Sequence, residues 1–135
     1  MAKDAPDGVN LVAVSVVVSN EPVTPQPTTE TLVLEVDRLT TTSTDYLTVV
    51  THTATADTVF ILTAVEMEST DYDHTKFQLA IAGSNVFTDL QVENPYSPPI
   101  PALKLVAGTV VTLSCKSADG TSITVDGDII GKEIG

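Results

Sequence analysis

Apolar residues in this chain recur in short runs, most of them with a period of two. Residues 11–19 read LVAVSVVVS, placing Val12, Val14, Val16 and Val18 on one strand face and Leu11, Ala13, Ser15 and Val17 on the other. Both faces are largely apolar, so such a strand lies deep in a sandwich or is covered by another chain. Residues 20–30, NEPVTPQPTTE, follow with Pro22, Pro25 and Pro27, which remove backbone donors and favour extended backbone. This is the clearest boundary in the sequence. It divides an N-terminal arm and linker, residues 1–30, from a body, residues 31–135. A long loop inside a single sandwich is the alternative reading.

The body reads as a series of short strands. Residues 31–37 place Leu32, Leu34 and Val36 on one face, and further strands are predicted over 46–52, 59–67, 76–82, 86–90, 103–106, 109–116, 122–125 and 129–134. Turns are expected at Gly83-Ser84-Asn85, Asp119-Gly120 and Asp126-Gly127. No twelve-residue stretch carries an unbroken helical stripe. The prediction is an all-β fold: an antiparallel β-sandwich, jelly-roll-like, of eight or nine strands, preceded by an extended N-terminal β arm.

Composition strengthens this reading. The 19 Val, 7 Ile and 21 Thr suit a pleated surface, whereas aromatic content is low, with three Phe, three Tyr and no Trp. A net charge of −12 with only six Lys and Arg argues against nucleic-acid binding. No run is long and apolar enough to span a bilayer. The N-terminus lacks the pattern of a secretory leader, and the expected setting is a cytoplasm or an assembly built there.

Candidate chemistry is sparse. There is no Gly-x-Ser-x-Gly elbow, and His52 and His74 are the only imidazoles available to a triad. The chain therefore reads as non-enzymatic. Cys115 alternates with Val111 and Leu113, which suits a small buried hydrophobe better than a reactive thiol. Asp71, Asp73 and His74 in STDYDHT could face a cation, but they lack calcium-loop spacing, and an exposed acidic loop is the simpler account. Asp126-Gly127-Asp128 is a weaker candidate still, because Asp-Gly is what a tight turn demands without any metal. The expectation is no cofactor and no required metal. Residues 94–101, NPYSPPIP, offer a rigid surface through Tyr96, Pro98, Pro99 and Ile100, either as a subunit contact or as a crossover loop between sheets.

Residues 103–133, LKLVAGTVVTLSCKSADGTSITVDGDIIGKE, resemble the closing strands of small phage and virus jelly-roll surface proteins through the AG turn, the SADGT hairpin and the GKE end. More loosely, the chain resembles head decoration or cement proteins. That resemblance implies a virion-surface subunit assembled in the host cytoplasm, a homo-oligomer with a trimer favoured, and a major capsid or other shell protein as partner. It carries over no site residue. The candidate interface read from the residues is Leu11, Val12, Val14, Val16, Val17 and Val18 in the arm, with Tyr96, Pro98, Pro99 and Ile100 in the body. A receptor-binding fibre or spike head, or a cation- or carbohydrate-binding module, are the alternatives.

Overall fold

The structure, a computed structural model, describes residues 28–135. The arm strand expected at residues 11–19, with Leu11, Val12, Val14, Val16, Val17 and Val18, lies outside the described residues. Eight strands follow: β1 Glu30–Thr41, β2 Leu47–Thr53, β3 Val59–Ser69, β4 Thr75–Ile81, β5 Ser84–Leu90, β6 Leu103–Val106, β7 Val110–Ser117 and β8 Ile123–Ile134. A 3-10 turn, Tyr72–His74, joins β3 to β4.

Pairing follows a nested order. β1 pairs with β8, β2 with β7, β3 with β6 and β4 with β5, all antiparallel. The described chain is thus one long hairpin folded over on itself. Further ladders between β3 and β8 and between β4 and β7 join these pairs into two four-stranded sheets, β1-β8-β3-β6 and β2-β7-β4-β5. Eight strands wound in this way form a jelly-roll sandwich, the predicted fold class.

The core lies between the sheets, and strand periodicity explains it. In β8 every second residue from Ile123 to Glu133 is buried while those between are half-buried. Ile123, Val125 and Ile129 meet Phe60, Leu62 and Val65 of β3 and Phe77, Leu79, Val111 and Leu113 of the facing sheet in one cluster. Cys115 belongs to it, and burial pushes its thiol up to about 11, away from thiolate chemistry.

Two expected turns change. Asp126-Gly127 does not end a strand: the predicted pieces 122–125 and 129–134 are one strand, and Gly127 pairs with Asp37 and Met67 at its middle. Glycine is needed there for packing, because a Cβ at Gly127 would sit 2.6 Å from Leu113 Cδ2. The β4–β5 turn is Ala82-Gly83, both at positive φ (54° and 81°), which is the type I′ geometry of a two-residue hairpin, and Ser84-Asn85 already belong to β5.

Candidate interaction surface

Register determines what each sheet shows to its surroundings. On the outer face of β1-β8-β3-β6, successive cross-strand rows read Leu32, Lys132, Ile61 and Lys104, then Leu34, Ile130 and Ala64, then Val36, Asp128 and Glu66, then Arg38, Asp126 and Glu68. Leu32, Leu34 and Val36 are 76, 57 and 64% exposed, and Val59 and Val106 extend the apolar end. The face has two halves: an apolar half with two lysines, and an acidic half. A contiguous apolar area on an outer sheet face is unusual for a chain surrounded by water.

The acidic half borders an open cavity of about 590 Å³, walled by Val36, Glu66, Glu68, Tyr96, Asp126 and Asp128. Arg38 binds Asp126 through both ends of its guanidinium, Nε to Oδ1 at 2.6 Å and Nη2 to Oδ2 at 3.0 Å, and this contact holds the Asp126 carboxyl below the usual carboxylate range. Asp128 has no such partner. Its Oδ1 is buried without a hydrogen bond, and burial first, then the adjacent Glu66 carboxylate, push its carboxyl up to about 6. Among the described residues no group of three or more His, Cys, Asp or Glu side chains is placed to hold a metal ion.

The opposite outer face is polar. Thr51, Thr112, Ser114, Gln78 and Lys76 cover it, with Thr51 Oγ1 3.1 Å from Thr112 Oγ1 and Thr88 Oγ1 donating to Gln78 Oε1 at 2.9 Å. Lys116 sits 4.7 Å above the Tyr46 ring and 3.2 Å from Asp89. Val86 on β5 and Val110 at the start of β7, exposed apolar residues of this sheet, are separated by β4 and form no apolar row.

Of the predicted body residues, Tyr96, Pro98, Pro99 and Ile100 lie in the loop that crosses from β5 in one sheet to β6 in the other. Tyr96 exchanges backbone hydrogen bonds with Met67, both 2.9 Å, and its side chain and Ile100 pack against the core; Pro99 is exposed. Asp71 and Asp73 do not converge on a cation. Asp71 instead holds His74, Nδ1 to Oδ2 at 2.8 Å, while Asp119 approaches the other ring nitrogen at 3.5 Å. The Asp71 hydrogen bond outweighs partial burial and raises the His74 pKa. His74 thus ties the β3–β4 turn to the β7–β8 turn.

Two features escaped the sequence reading. One is the outward direction of the Leu32, Leu34 and Val36 row. The other is His52, whose ring lies between the sheets against Phe60, with Nδ1 3.0 Å from Glu35 and Nε2 3.0 Å from Glu133. Glu133 Oε2 also accepts the Thr55 N–H at 2.8 Å; burial works to raise this carboxyl, but those contacts outweigh it and keep it lowered. The available signal was parity. Val50 and His52 share a face, so an inward His52 requires polar partners. Its contacts are internal, and they brace β1, β2 and β8 at one margin of the sandwich.

Among the described residues no helix is long and apolar enough to cross a membrane. No family model matches the chain, and no curated protein matches it.

Proposed function

We propose that this chain is a non-enzymatic structural subunit of a virion, a decoration or cement protein that reinforces a capsid from its outer surface. What supports the reading is one observation: a jelly-roll sandwich whose β1-β8-β3-β6 sheet turns an apolar row, Leu32, Leu34 and Val36, outward. Covering that row removes apolar area from water at about 25 cal/mol per Å², and a lattice of repeated shell subunits offers the matching surface many times over. The acidic half beside it resists indiscriminate apolar contact and favours a partner that presents basic groups there. In this reading the subunit works as a homo-oligomer, with a trimer favoured, and the shell protein is its partner.

The test is electron cryomicroscopy of particles from cells that make the chain, with a gold label directed at it. The expected result is label in a regular array on the outside of a shell. Label confined to free protein or to tail fibres would overturn the decoration reading.

A further inference from the structure

The pairing of β1 with β8 determines which of its backbone groups are used. Thr29 and Gly135 exchange both hydrogen bonds, Thr29 N–H to Gly135 O at 3.0 Å and Gly135 N–H to Thr29 O at 3.1 Å. In an antiparallel ladder such pairs alternate with pairs that exchange none, and the register from Glu30 to Thr41 runs without a shift. Thr31, Val33 and Glu35 therefore bond to β8, while the N–H and C=O groups of Leu32, Leu34 and Val36 point the other way. The Arg38 N–H follows the same parity and turns to the Asp37 carboxylate at 2.8 Å. Among the described residues no strand lies on that side, because β1 is the edge of its sheet. The residues whose backbone groups have no strand partner among the described residues are also those with exposed apolar side chains. An edge of this kind is a template for another strand.

The sequence offers a matching segment. Twenty-seven residues precede the described part and end beside the start of β1. Within them, residues 11–19 contain no charge and no proline, and both faces are apolar. A strand added to an edge needs apolar residues on both faces: one continues the outer row, the other lines the gap between the sheets. The linker sequence bears on whose edge is reached. Three prolines in the ten residues between Ser19 and Glu30 each fix φ and favour extended backbone, which disfavours the tight reversal that pairing with the same copy's β1 would need.

We propose that the free edge of β1 accepts residues 11–19 of a second copy of this chain as an added strand. Main-chain hydrogen bonds to Leu32, Leu34 and Val36 supply affinity, and the alternating valines supply register. Each copy then donates an arm and accepts one. Such a head-to-tail contact closes into a ring when its rotation allows, or extends into a filament. The inference deepens the assembly reading and names the surface between copies, but it does not require a shell.

Hydrogen exchange resolved by residue tests it in the full chain. In the intact protein at assembling concentration, the amides of Leu32, Leu34 and Val36 are expected to be protected on the order of 100-fold more than in the arm variant Val14→Asp with Val16→Asp. Val33 and Glu35, bonded to β8, remain protected in both and report that the body is folded. Mixing ¹⁵N-labelled arm variant with unlabelled intact chain is expected to restore protection at the labelled Leu32, Leu34 and Val36. Protection in the intact chain without restoration on mixing would assign the arm to its own β1 and overturn the proposal. So would unprotected edge amides in an intact chain that still assembles, and that outcome would leave the assembly reading standing. Exchange between copies in a chain that never decorates a shell would do the reverse.

Discussion

The two outer faces of this sandwich are built on the same strand geometry and meet their surroundings in opposite ways. On β2-β7-β4-β5, threonine and glutamine side chains bond across strands, and Lys116 lies over Tyr46, so water completes what the side chains begin. On β1-β8-β3-β6, Leu32, Leu34 and Val36 at the apolar end stay exposed, with no cover among the described residues. The difference lies in the alternate residues alone, because both faces are four strands wide and antiparallel. In a sandwich the inward positions specify the fold, and the outward ones are free to specify what the molecule touches.

Breaking the apolar face should give the largest effect. Leu34→Lys with Val36→Lys places two charges on the proposed contact and removes two side chains, each worth about 1.5–3 kcal/mol when buried. Self-association followed by analytical ultracentrifugation is expected to weaken by about 100-fold or more, with the melting temperature of the body nearly unchanged. The matched pair on the other face, Thr51→Lys with Thr112→Lys, should leave association as it was. Equal losses from both pairs would show that charge, and not the apolar row, governs assembly.

The sequence makes the core side of this comparison legible and hides the outer side. Strand existence follows from β-branched content and period two, and β2, β4, β6 and β7 fall within a residue or two of expectation. β8 was divided because Asp-Gly is the commonest sign of a tight turn, and the requirement that keeps Gly127 mid-strand, close approach to Leu113, comes from another strand. The direction of β1 was equally hidden. By local pattern Leu32, Leu34 and Val36 form its apolar side, yet Val33 turns to the core and Glu35 turns inward to meet His52, 17 residues away. A long-range polar contact thus accompanies a register that local hydrophobicity would not choose. The acidic cavity is only partly visible in the sequence: Asp126-Gly127-Asp128 stand together in the chain, whereas Glu66 arrives from β3 through the sheet pairing.

A second experiment sharpens the contrast between the two halves of the apolar and acidic face. Asp128 titrates near 6 in the folded chain, against about 3.9 when unfolded, so between these values the folded state holds the extra proton. Stability from this group is therefore highest at low pH and falls as pH rises from about 4 to 6, after which the cost of the charged form is fully present. Asp128→Asn removes that cost. Thermal melting is expected to rise by a few degrees at pH 7.5 and to change little at pH 4, as judged from the size of such effects in small domains. A gain of the same size at both pH values would remove ionisation of Asp128 from the explanation.

The smallest effect is expected where the polar face is made slightly more apolar. Thr51→Val with Thr112→Val keeps side-chain shape and β propensity while removing the hydroxyl pair and the bond from Thr51 Oγ1 to the Val111 carbonyl at 3.0 Å. Both positions are reached by water, which replaces the lost partner, so denaturant unfolding should move by no more than about 0.5 kcal/mol. Association should not change, because the two added methyl groups, in one row with Ala80 and next to the row of Ser114 and Gln78, add only a small apolar area. If the double variant nevertheless self-associated, a few apolar atoms on any sheet face would be enough for this chain. The unpaired edge of β1 would then lose its special place, since β2, also an edge strand, would have been made equivalent by composition alone.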